Sequence, residues 1–195
     1  MVGNDCFQSV GELKLIGLKN LEKVMIGENC FTELTSVFGS YLSYEVRRDP
    51  YHQFCLKECD ALRELKIGND SFSGYSVCEI DSLNSLEVIE MGNGCFKKVS
   101  ELKLIGLKKL EKVIIGEKCF TKDQDDRDYG YSSRDIKSDP NRQFCLKECD
   151  SLKELKIGNG SFGECTVCEI DSLNSLEVIE IGGFRYASDF QLKSE

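Results

Sequence analysis

The chain repeats itself on two length scales, and this excludes most compact folds. Residues 101–120, ELKLIGLKKLEKVIIGEKCF, restate residues 12–31, ELKLIGLKNLEKVMIGENCF, at an offset of 89. Residues 144–162 restate 54–72 at an offset of 90, and CEIDSLNSLEVIE recurs unchanged at 78–90 and 168–180. Inside each block the pattern L-x-x-[L/V/I]-x-[I/M]-G ends on Ile26, Ile67, Met91, Ile115, Ile157 and Ile181, spaced by 41, 24, 24, 42 and 24 residues. The unit is therefore 24 residues, and two units carry an insertion of 17 or 18. A fixed period in this range marks a solenoid, in which stacked units bury a shared core. The expectation is a single solenoid domain over 1–195, with two three-turn blocks at about 3–91 and 92–181 and insertions at 32–53 and 121–143.

Each turn reads as two short strands. In the first, apolar residues alternate with polar ones and a glycine follows, which predicts a turn with positive φ there. Cys or Ser and then Phe come next, at Cys6-Phe7, Cys30-Phe31, Ser71-Phe72, Cys95-Phe96, Cys119-Phe120 and Ser161-Phe162. These pairs predict an inward ladder at the corner. The second strand is Leu13-Lys14-Leu15 and its equivalents, outer residues inward and the middle one outward. One outward slot of the first strand then reads Met25, Lys66, Glu90, Ile114, Lys156, Glu180, and one of the second reads Ile16, Lys57, Asp81, Ile105, Lys147, Asp171. In-register stacking puts lysine beside an acid in both rows, as favourable cross-strand pairs require.

These residues resemble the leucine-rich repeats. The segments Leu86-Glu-Val-Ile-Glu-Met-Gly-Asn-Gly-Cys-Phe and Ile157-Gly-Asn-Gly-Ser-Phe are most similar to the BspA-like, or treponemal-type, subclass, in which a short strand replaces the helix. The implied fold is a β-rich, leucine-rich-repeat-like solenoid with about 24 residues per turn, parallel in-register strands and little helix. The implied role is protein–protein recognition or adhesion, an analogy at the level of fold. The usual asparagine slot of the family holds Asn29, Asp70, Gly94, Lys118 and Gly160, so the corner hydrogen bonding is expected to differ, and a plain β-solenoid is the alternative.

Chemistry finds little support. His52 is the only histidine, with no nucleophile or orienting acid identifiable beside it, and no nucleotide or nucleophile-elbow motif occurs. The reading is therefore no enzyme and no cofactor. Asp123, Asp125, Asp126 and Asp128 precede Gly130, but Ile136 stands where a calcium loop needs glutamate. Cys55/Cys59 and Cys145/Cys149 lack the four-ligand pattern of zinc; Cys59 and Cys149 read as core, whereas Cys55 and Cys145 fall in outward slots and are expected to be exposed, oxidisable thiols. No metal site is expected.

The net charge of −9 argues against nucleic acid and anionic membranes as partners. No apolar run approaches a membrane span, and no secretory segment opens the chain. Eleven cysteines in mostly repeated slots read as buried free thiols, which favours a reducing, cytoplasmic setting. The function expected is a non-catalytic interaction module that binds a protein or surface ligand through the solenoid face, the insertions or both. The candidate contact residues are Phe38, Tyr41, Tyr44, Arg47, Arg48, Tyr51, Tyr129, Tyr131 and Arg134, types enriched in interfaces, on insertions that diverge between the blocks. The alternative is a structural segment that self-assembles by stacking end to end, because the chain starts and stops in mid-unit.

Overall fold

The computed structural model describes residues 1–32, 52–121, 142–163, 165–184, 187 and 189–193. Among these every regular element is a strand. The first strand of each turn gives β2 (Lys23–Ile26), β4 (Glu64–Ile67), β6 (Val88–Met91), β8 (Lys112–Ile115), β10 (Glu154–Ile157) and β12 (Val178–Ile181). The second gives β1 (Glu12–Ile16), β3 (Gln53–Lys57), β5 (Val77–Asp81), β7 (Glu101–Ile105), β9 (Gln143–Lys147), β11 (Val167–Asp171) and β13 (Asp189–Lys193).

The even-numbered strands form one parallel sheet in the order β2-β4-β6-β8-β10-β12, with Ile26, Ile67, Met91, Ile115, Ile157 and Ile181 in register. The odd-numbered strands form two parallel sheets, β1-β3-β5 and β7-β9-β11-β13. The chain spacing from β5 to β7 equals that from β3 to β5, so no change of period announces this seam. Its effect shows in the duplicated residues. Cys78 and Ile80, on β5, keep 8% and 6% exposure, whereas their equivalents Cys168 and Ile170, flanked by β13, have none.

The core lies between the two layers. Leu65, Ile89, Val113 and Leu155 from one side meet Phe54, Leu102, Leu104, Phe144 and Leu146 from the other, all fully buried. At the corner, Phe7, Phe31, Phe72, Phe96, Phe120, Phe162 and Phe184 form one continuous stack, with neighbouring ring centroids 4.7–5.5 Å apart and planes within 17°. Phe184 is an addition to the expected ladder. It follows Gly182 by two residues rather than four, which hides the motif in the sequence. Every phenylalanine of this stack has φ between 51° and 60°, left-handed backbone that is rare for a bulky side chain.

The glycine after each first strand corrects the sequence reading. Gly27, Gly68, Gly92, Gly116, Gly158 and Gly182 are absent from the positive-φ residues. Positive φ falls two positions later, at Asn29, Asp70, Gly94, Lys118, Gly160 and Phe184, as it does at Asp5 after Gly3. The glycines serve close approach instead: a Cβ on Gly68 would sit 2.6 Å from the carbonyl carbon of Gly27, and one on Gly158 would sit 2.5 Å from that of Gly116. Turns stack here backbone on backbone.

Two ladders stitch the corners. Cys30 Sγ donates to the Gly3 carbonyl, Ser71 Oγ to Gly27, Cys95 Sγ to Gly68, Cys119 Sγ to Gly92 and Ser161 Oγ to Gly116, at 2.6–3.2 Å. Beside them, Asn4, Asn69 and Asn93 accept from the backbone N–H of Glu28, Asn93 and Glu117 at 2.8–3.0 Å. An asparagine ladder therefore exists one residue before the slot examined in the sequence.

Candidate interaction face

The outward side of the six-stranded sheet carries two rows of side chains. Its alternating burial follows from the pleat, which sends Val24 and Ile26 inward and Lys23 and Met25 outward, and likewise in the other strands. The rows read Lys23, Glu64, Val88, Lys112, Glu154, Val178 and Met25, Lys66, Glu90, Ile114, Lys156, Glu180. Four lysines face four glutamates, so this face is electrically neutral although the chain carries −9.

The charges form a connected lattice. Lys23 reaches Glu64 at 2.7 Å and Lys66 reaches Glu90 at 3.1 Å. Lys112 bridges Glu90 at 3.4 Å and Glu154 at 3.5 Å. Lys156 bridges Glu154 at 3.0 Å and Glu180 at 3.2 Å. The hydrogen bond from Lys23 holds the Glu64 carboxyl below its ordinary pKa, and that from Lys156 does the same for Glu154. Ion pairs this exposed add little to stability, so their larger effect is to hold the lysines in place. Between Met25 and Ile114 lies an open groove of about 470 Å³, with Lys66 and Glu90 at its centre and Gly68 and Gly92 also lining it. Met25 is 40% exposed there.

The other side shows a related arrangement with one difference from expectation. Lys57 lies in register with Asp81 and Lys147 with Asp171, as anticipated. Their ammonium groups turn instead to Glu79 at 2.8 Å and Glu169 at 2.5 Å, one side chain back along the neighbouring strand. Ile16 and Ile105 are exposed at the ends of their strands.

Cys55 and Cys145 are not the exposed thiols that their outward slots suggested. They are 4% and 6% exposed. Each is short and lies in register between long neighbours, Lys14 and Glu79 in one case and Lys103 and Glu169 in the other. Burial pushes both thiols above their ordinary pKa. Cys59 and Cys149 are fully buried, and all 11 cysteines are free thiols. His52 packs beside Tyr75, with ring centroids 5.6 Å apart and planes tilted by 31°, and its ring lies where a Cβ on Gly11 would be. Tyr75, which the sequence did not single out, is buried and donates to the Val10 carbonyl at 2.6 Å. Arg142, inside the expected insertion, is also buried, with a guanidinium N–H on the Phe120 carbonyl at 3.3 Å.

Phe38, Tyr41, Tyr44, Arg47, Arg48, Tyr51, Tyr129, Tyr131 and Arg134 lie outside the described residues, as do Asp123, Asp125, Asp126 and Asp128. Among the described residues no group of three or more His, Cys, Asp or Glu side chains could hold a metal ion, and no helix is long and apolar enough to cross a membrane.

Parallel in-register sheets, a 24-residue turn and a corner ladder of glycine carbonyls define a leucine-rich-repeat-type β-solenoid. The family model for the BspA-type leucine-rich repeat region, with six copies, matches residues 44–156, and the chain belongs to that family. No curated protein and no solved structure matches the chain. Repeats of this family are in general interaction modules without catalysis.

Proposed function

We propose that this chain is a non-catalytic interaction module and that the outward face of its six-stranded sheet contacts a protein partner. The observation that carries the reading is the neutral lattice of lysine and glutamate with an apolar-walled groove set into it. A rigid, charge-balanced face loses little conformational entropy when a partner docks, because its long side chains are already held by ion pairs. Immobilised protein should capture a partner, and the double substitution Met25→Glu/Ile114→Glu should abolish that capture. Capture that survives this change but disappears when residues 33–51 and 122–141 are removed would move the contact to the insertions, where the sequence places its aromatic and arginine candidates.

A second reading is association along the stack. Phe7 is 53% exposed at one end where its equivalent Phe96 is fully buried, and Phe190 and Leu192 are exposed at the other. These exposed apolar side chains favour packing of a second copy there. Light scattering in reducing buffer tests this. A molar mass that climbs with concentration supports end-to-end stacking, and a constant mass near 22 kDa rejects it.

A further inference from the structure

Resting on the reading of the six-stranded face as the contact surface, we infer that its occupant is an extended polypeptide segment lying across β2, β4, β6 and β8. Two of its aliphatic side chains, four residues apart, sit at Met25 and Ile114, and an asparagine or glutamine midway between them meets Lys66 and Glu90.

Two observations lead there. Met25, Lys66, Glu90 and Ile114 occupy one slot of four adjacent in-register strands. Strands about 4.8 Å apart put Met25 and Ile114 about 14 Å from each other. An extended chain rises about 3.3 Å per residue, so residues i and i+4 lie about 13 Å apart and point to the same side. A helix does not fit this spacing: its same-face positions seven and eleven residues on lie about 10.5 and 16.5 Å away.

The second observation is the pair at the groove's centre. Lys66 donates and Glu90 accepts, 3.1 Å apart, and residue i+2 of the segment falls between them. A charged side chain there would be repelled by one of the two. A carboxamide satisfies both, its oxygen accepting from the ammonium and its nitrogen donating to the carboxylate. The row repeats as Ile114, Lys156, Glu180, but no fourth described strand closes it with a second aliphatic wall, so one complete site results.

The test pans a phage-displayed library of random nonapeptides over the immobilised, reduced chain, in parallel with the Met25→Glu/Ile114→Glu variant. Both substituted side chains point outward, and circular dichroism confirms that the variant is folded. Enriched peptides are expected to carry aliphatic residues four apart with asparagine or glutamine midway. As synthetic peptides they should bind the variant at least about tenfold more weakly. Peptides that depend on Met25 and Ile114 but share a different spacing would overturn this occupant while keeping the face as the contact surface. Peptides that bind both proteins equally would overturn the face as well, and a library without enrichment would overturn a short peptide as the occupant.

Discussion

The phenylalanine ladder permits a sharp test of how the corner is built. Phe96 lies at its centre, fully buried, stacked on Phe72 at 4.9 Å and on Phe120 at 5.5 Å, with Phe54 at 5.7 Å. Truncating a buried phenylalanine to alanine costs about 3–5 kcal/mol, and loss of aromatic contacts on three sides places Phe96→Ala at the upper end of that range. The backbone adds a second effect. With φ of 52°, residue 96 holds left-handed geometry, which costs an L-residue about 1–2 kcal/mol and glycine almost nothing. In an ordinary strand Phe→Gly is worse than Phe→Ala by about 0.5–1 kcal/mol, because glycine gains more entropy on unfolding. Here relief of the left-handed backbone should offset both that entropy and the one further methyl that glycine removes, so Phe96→Gly and Phe96→Ala should fall within about 1 kcal/mol of each other. Urea denaturation followed by circular dichroism, with equal slopes for the two variants, reads the difference directly. A glycine variant less stable than the alanine variant by more than about 1 kcal/mol would refute the claim that the ladder is held against its backbone preference.

Gly68→Ala should destabilise the chain by about 1–3 kcal/mol or more, since the new methyl would meet the Gly27 backbone at 2.6 Å; a neutral substitution in a thermal melt would disprove backbone-on-backbone stacking. The pKa of Glu79 is lowered chiefly by its hydrogen bond from Lys57, and that of Glu64 by its bond from Lys23. A carboxylate whose pKa falls on folding stabilises the fold fully above its unfolded pKa and loses that contribution as pH drops through the folded one. Stability is therefore expected to hold from neutrality down to about pH 5 and to fall below about pH 4, and a flat acid limb in urea titrations would count against the lattice. Cys6 is half-buried and the other ten cysteines are buried. Ellman's reagent on the native chain should find about one fast thiol, rising to all 11 in denaturant; fast reaction at Cys55 or Cys145 would restore the exposed-thiol reading that the structure corrects.

The linear sequence determined the architecture of this protein to an unusual depth. In a parallel, in-register stack every slot recurs one strand spacing away, so a one-dimensional period becomes a two-dimensional surface. The strand positions, the pairing of Lys66 with Glu90 and of Lys156 with Glu180, and all of the phenylalanine ladder except Phe184 were legible for that reason. Only the tertiary structure decided what depends on distance and side-chain length. The glycines look like turn residues until the next backbone is seen 2.6 Å from where a Cβ on Gly68 would stand. Cys55 occupies an outward slot but is short between Lys14 and Glu79, so slot and exposure part company. Lys57 has Asp81 as its register partner and still reaches Glu79, because a flexible ammonium takes the better geometry among near neighbours. The seam between β5 and β7 carries no period change that would mark it, and the groove between Met25 and Ile114 exists only once four strands lie side by side. Periodicity specifies which residues are neighbours; packing decides how close they come and which of them water reaches.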